Sequence, residues 1–258
     1  MLGLFNFRKV QARILFFLIF FSASLAFEGC RTYKKQIPTG SALSVENVYA
    51  NVSYDHSQVS NVFLLPIENP YGNKQVFLSQ NDFVTTILRN FGKFHYFHVA
   101  YDKDFPQKSG DIIHLETGRI DRLKSGAIAK KYNSQALMKI SISDYQPYFP
   151  MRMKVKALLV DALTGERIWA FNEVFDSDDA NVVNGMRYWW NTHMAGGYEG
   201  NRFDLNKLRP SFFMNYVFYT MGDSYGQARV DNVAVIKEQK KLELEKMKEI
   251  EKKRKRRL

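Results

Sequence analysis

The chain has 258 residues, 45% of them hydrophobic and 15% aromatic, with a net charge of +11, a composition that predicts a packed core. The charge sits at the ends: Val233 to Leu258 hold 11 Lys/Arg against 5 Asp/Glu, the first 28 residues add +2, and the body keeps +3. The only cysteine, Cys30, excludes an internal disulfide and any zinc site built from several thiolates.

The amino terminus reads as an export address. Arg8, Lys9 and Arg13 form a positive region, Ile14 to Phe21 an apolar run, and Ser22, Ala23 and Ser24 a stretch of small residues. That order is the secretory-signal pattern. The run from Ile14 to Phe27 is 14 residues, short of the roughly 20 that a membrane-crossing helix needs. Gly29-Cys30 follows, and here the segment resembles the bacterial lipoproteins, in which a cysteine after a small residue is lipidated and becomes the first residue. Phe27 is compatible with such a site, and Glu28 departs from it. The alternative is cleavage after Ser24-Leu25-Ala26, leaving a soluble chain with a free Cys30 thiol.

Residues 1–29 are therefore expected as a signal segment and 30–57 as a flexible polar tether. Residues 58–232 are expected to form one α/β domain, and 233–258 a charged helical tail. Val62-Phe63-Leu64-Leu65-Pro66 reads as a short buried strand. A helix should begin near Ser79 and Asp82, bury Val84, Ile87, Leu88 and Phe91, and stop at Gly92. Phe94 to Val99 is aromatic and β-prone. A second helix is expected between Arg119 and Tyr132, with Ile120, Leu123, Ala127 and Ile128 on its inner face.

The β pattern is clearest from Ala136. Met138, Ile140 and Ile142 alternate with Lys139, Ser141 and Ser143. After Gln146-Pro147-Tyr148-Phe149-Pro150, Met151, Met153, Val155, Ala157 and Leu159 alternate with Arg152, Lys154 and Lys156. A period of two puts the charges on one face and the apolar groups on the other. Asp161-Ala162-Leu163-Thr164-Gly165 reads as a tight turn: Asp161 accepts from turn amides, Gly165 supplies positive φ, and Trp169 lies in the return strand. Short loops between alternating strands require antiparallel neighbours. The acidic run Asp176 to Asp179 suits a helix amino terminus. The next helix carries Val182, Met186, Trp189, Trp190 and His193 up to Gly196-Gly197, and Pro210 opens another with Phe213, Tyr216, Val217 and Met221.

The fold class expected is an α/β (α+β) sandwich. Its mixed, partly antiparallel sheet carries helices mainly on one face, and a basic helix ends the chain. The order of elements and the Val160-Asp161-x-x-Thr164-Gly165-Glu166-x-x-Trp169 turn resemble the envelope lipoproteins related to the curli-secretion and penicillin-binding-protein activator lipoproteins. The module they share is similar to the amino-terminal domain of the periplasmic Tol-system protein. The resemblance implies a domain that binds other envelope proteins, in some members as an oligomer, and implies no catalytic residues. No pair of long amphipathic hairpins is present, which puts a secretion-pore role in doubt.

Catalytic signals are sparse. His56, His95, His98, His114 and His193 form no metal-ligand spacing, and the sequence has no Gly-rich phosphate loop, HExxH helix or GxSxG elbow. No cofactor, metal or catalytic residue is assigned. Asp178 and Asp179 fit helix capping more simply than a carboxylate site. Tyr188, Trp189 and Trp190 form a candidate docking patch, or else one tryptophan is core and the other half-exposed. Lys252, Lys253, Arg254, Lys255, Arg256 and Arg257 form a second candidate partner site. Behind an export signal it suits an anionic lipid surface or acidic envelope polymer, with nucleic acid the lesser reading. The leading expectation is a lipid-anchored, non-enzymatic envelope protein. A secreted or periplasmic hydrolase with a dispersed site is the rival.

Overall fold

Period-two alternation dominates the middle of the chain. In the computed structural model, which describes residues 46–106, 112–194 and 202–255 without the side chains of 202 and 249–255, it builds the centre of a six-stranded sheet. Strands β4 (Ala136–Gln146), β5 (Arg152–Asp161) and β6 (Arg167–Asp176) run antiparallel in sequence order. β2 (Asn61–Leu64) lies parallel beside β4, and β3 (His98–Ala100) parallel beside β2. β1 (Val48–Ala50) closes the other side, antiparallel to β6. The sheet is thus mixed, with order β1-β6-β5-β4-β2-β3.

Helices cover one face. α1 (Lys74–Leu78) and α2 (Gln80–Phe94) connect β2 to β3. α4 (Ala180–Trp189) and α6 (Pro210–Lys255) come from the carboxy-terminal half, with the short α5 (Arg202–Asn206) between them. The larger core forms here. Met138, Ile140, Val155, Leu159, Trp169 and Phe171 from the sheet meet Phe83, Ile87, Phe213, Val217 and Tyr225 from the helices. A smaller core on the opposite face gathers Phe63, Leu65, Leu137, Leu158 and Val160 under α3 (Arg122–Tyr132), through Ile128 and Ala129. α3 covers only part of that face, so the arrangement is a sheet with helices mainly on one side.

Four expectations need correction. β1 and the 3-10 turn His56–Gln58 fall inside the stretch expected to be tether. A three-residue strand carries no readable alternation, and its place comes from pairing with β6. The first long helix runs two residues past Gly92, to Phe94, and His95 closes it at φ 53°. α3 begins only at Arg122, because the Asp121 carboxylate caps the amides of Leu123 and Lys124. That phase points Ser125, Ile128 and Ala129 inward and leaves Leu123 89% exposed. Finally, no element boundary separates the domain from the tail at 233, since α6 continues unbroken from Pro210 to Lys255.

Candidate functional site

The polar half of the second sheet face is the most site-like surface among the described residues. Leu137 in β4 and Leu158 and Val160 in β5 enter the smaller core. Further along, the same face presents Lys139, Ser141 and Ser143 from β4, and Lys154 and Lys156 from β5. The register sets Ser141 opposite Lys156 and Ser143 opposite Lys154. Directly opposed residues have neighbouring Cβ atoms, so the four form a two-by-two grid. Ser141 and Ser143 are the floor, 6% and 7% exposed.

Loops wall this floor. Glu68 follows β2 and pairs backbone to backbone with Ser141 in a parallel bridge. Its carboxylate lies 3.7 Å from the buried Lys139 ammonium. Burial pushes the Lys139 pKa down, and Glu68 opposes the shift. Across the groove, Glu116 reaches the Lys156 ammonium at 2.6 Å. The hydrogen bond from Lys156 holds the Glu116 carboxyl below the usual carboxylate range. A cavity of about 210 Å³ lies among Glu68, Tyr71, Glu116, Ser141, Lys154 and Lys156. A second, of about 390 Å³, shares Glu116 and Lys156 and extends to Tyr49 and Arg167, whose guanidinium lies 5.4 Å from the Tyr49 ring centre.

The Asp161 turn lies beside the smaller core. Asp161 accepts from the amides of Leu163 and Thr164 at 2.9 and 2.7 Å and from the Tyr54 hydroxyl at 2.8 Å. Burial alone would raise its pKa, but the Thr164 amide, the Tyr54 hydroxyl and the Leu163 amide bring it below the usual value. Thr164 Oγ1 accepts from the Glu166 amide, and Gly165 sits at φ 74° with Ile120 close to where a Cβ would stand. Trp169 is fully buried, edge-on to Tyr225. Each of these residues serves the hairpin or the core.

The aromatic candidates divide. Trp189 is 3% exposed and packs on Phe212, Tyr216 and Tyr219, so it belongs to the larger core and not to a docking patch. A helix face buried against α6 explains the correction. Tyr188 and Trp190 are half-buried. Beyond them a π-helical turn (Trp190–Met194) places His193 Nε2 2.8 Å from the Tyr219 hydroxyl, and burial raises the Tyr219 pKa.

Cys30, Arg256 and Arg257 lie outside the described residues. Lys252, Lys253, Arg254 and Lys255 are placed only as backbone at the end of α6. Among the described residues, no group of three or more His, Cys, Asp or Glu side chains could hold a metal ion. No described helix is long and apolar enough to cross a membrane. Sequence reasoning did not single out Glu68, Tyr71 or Glu116. Only the polar alternation of Lys139, Ser141 and Ser143 along β4 and of the charges along β5 hinted at the groove.

No protein-family model and no curated protein matches the chain. Solved structures with similarity to it include the PelC dodecamer from Paraburkholderia phytofirmans, 10% identical, with 60% of this chain and 96% of that chain covered and a TM-score of 0.36. Lipoprotein GNA1162 from Neisseria meningitidis is 15% identical, over 45% of this chain and 80% of that chain, with a TM-score of 0.30. TolB from Acinetobacter baumannii is 11% identical, over 53% of this chain and 29% of that chain, with a TM-score of 0.29. A lipoprotein and a Tol-system protein, two kinds of protein the sequence resembles, are thus among these structures. Identities this low and TM-scores below 0.5 transfer no activity, partner or assembly state to this chain.

Proposed function

We propose that the protein is a bacterial cell-envelope lipoprotein, held at a membrane by acylation of Cys30, that works as a non-enzymatic binding or assembly component. The observation that carries this reading is the order of the first thirty residues: Arg8, Lys9 and Arg13, an apolar run, small residues, then Gly29-Cys30. An acyl anchor, with palmitate as one of its chains, gives the lone cysteine a role that requires no thiol partner. The location that fits best is the outer membrane, facing the periplasm. Tethering raises the local concentration of the domain near its partners. The basic end of α6 adds attraction to anionic lipid or acidic polymer.

The side chains around the groove favour recognition over catalysis. Of the carboxylates lining the first cavity, Glu68 lies against the Lys139 ammonium and Glu116 against that of Lys156. Each of these two carboxylates is therefore matched by a lysine. The test is the mass of the mature amino terminus, with fractionation of the natural chain and Cys30→Ala into membrane and soluble pools. A diacyl or triacyl mass on Cys30, with the variant leaving the membrane pool, is the expected result. An unmodified chain beginning at Phe27 and soluble in both forms overturns the reading.

A further inference from the structure

We propose that the groove over β4 and β5 binds an extended acidic segment of a partner protein, with Lys154 and Lys156 receiving two carboxylates and Ser141 and Ser143 donating from the floor. The inference rests on the reading of the protein as a binding component and names the chemistry of its partner.

Lys154 and Lys156 are two residues apart on one strand and on one face, so their Cβ atoms stand about 7 Å apart. An extended polypeptide repeats its same-face side chains at that same interval. A segment laid along β5 with acidic residues at alternate positions therefore meets both ammonium groups in register. Hydrogen bonds between ionised partners are roughly twice as strong as neutral ones, and the hydroxyls opposite each lysine can complete the carboxylate's hydrogen bonding.

The charges already present allow this. Lys139 is matched by Glu68. Lys154 has no carboxylate within 4.0 Å among the described residues, and Lys156 has only Glu116, whose side chain is 79% exposed. An incoming carboxylate exchanges with Glu116, which returns to water at little cost because it is already solvated. Tyr71, 82% exposed at the groove wall, offers a ring beside the path. Tyr49, 45% exposed, offers another where the second cavity opens. Aromatic residues are enriched in protein interfaces relative to the rest of the surface. The basic residues Lys252 to Arg257 also attract anions, so the test must separate the two regions.

The probe is a dye-labelled decapeptide of alternating Glu and Thr, titrated by fluorescence anisotropy against the full mature chain. The controls are a Gln-Thr decapeptide and competition by inorganic phosphate. The variants are Lys154→Gln/Lys156→Gln and a chain with Lys252 to Arg257 all changed to Gln. Lys154 and Lys156 are half-buried, and circular dichroism checks the folding of both variants. The expected result is binding of the Glu-Thr peptide alone, weakened about tenfold or more by the groove variant, with the tail variant still binding. Equal binding by the groove variant, loss of binding in the tail variant, no binding at all, or phosphate competing as well as an unlabelled copy of the peptide each overturns the proposal. The acylation state of Cys30 is measured separately, so a failed groove with an acylated Cys30 leaves the tethering intact.

Discussion

The Tyr54 hydroxyl donates a 2.8 Å hydrogen bond to Asp161 Oδ2 across 107 residues of sequence. The bond fastens the segment after β1 to the turn between β5 and β6, where Asp161 already holds the amides of Leu163 and Thr164. The edge of the sheet and its central hairpin are thereby linked through one carboxylate.

Asp161→Ala should lose about 1–3 kcal/mol of stability, and Tyr54→Phe about 0.5–1.5 kcal/mol. The Asp161 carboxyl titrates below its ordinary value in the folded chain. Its charged-state contribution is therefore complete above the unfolded pKa of about 4 and fades as pH falls through the folded value. Urea unfolding at pH 7 and pH 3 should show the gap between the natural chain and Asp161→Ala narrowing at the lower pH. A gap that widens on acidification contradicts this account of the turn.

His56 should make the fold acid-sensitive. It is fully buried, its ring stacks on Tyr225 at 5.8 Å between centres, and its Nε2 lies 3.0 Å from the Asn51 carbonyl oxygen. Burial lowers its pKa, the Asn51 carbonyl opposes the shift, nearby Arg229 reinforces it and Asp55 opposes it. Folding therefore favours the neutral ring, while the unfolded chain takes up a proton near pH 6.5. Stability from this group is level above that pH and declines below it, down to the folded pKa. The slope is at most about 1.4 kcal/mol per pH unit. Urea midpoints at pH 7.5 and 5.5 should differ for the natural chain by more than for His56→Gln. Equal differences would remove His56 as the cause.

The two adjacent tryptophans should behave unlike each other. Trp189 is enclosed by Phe212, Tyr216 and Tyr219, so Trp189→Ala should cost about 3–5 kcal/mol. Trp190 touches Phe212 from the rim, and Trp190→Ala should cost about 1 kcal/mol. Chemical denaturation of the two single variants measures both, and comparable losses would contradict the division between core and rim.

The central sheet was legible because β4 and β5 alternate over long runs, and period two allows one face to be buried and the other solvated. β1 was not, because Val48-Tyr49-Ala50 owes its place to β6, whose Phe171 stands opposite Val48. The phase of α3 depended on which residue capped it, and Asp121 shifted the inner face away from Leu123. At the groove, Lys154 and Lys156 were visible as charges on one strand face. Their surroundings were not, because Glu68 and Glu116 arrive on separate loops brought together only by the sheet. Trp189 and Trp190 are neighbours in sequence with the same aromatic character, so composition alone could not decide which of them packs inward.

α6 sets the phase and reach of whatever its end carries. Among the residues whose side chains are described, its last buried one is Asn232, whose side-chain amide donates to the Val52 carbonyl at 2.9 Å and whose Oδ1 accepts from the His56 amide at 3.3 Å. From there the helix runs on to Lys255, advancing about 1.5 Å and turning about 100° with each residue. The compass bearing of the basic end is therefore counted in residues from Asn232. One inserted residue swings it through more than a quarter turn while hardly changing its distance, whereas a seven-residue insertion keeps the bearing and adds about 10 Å.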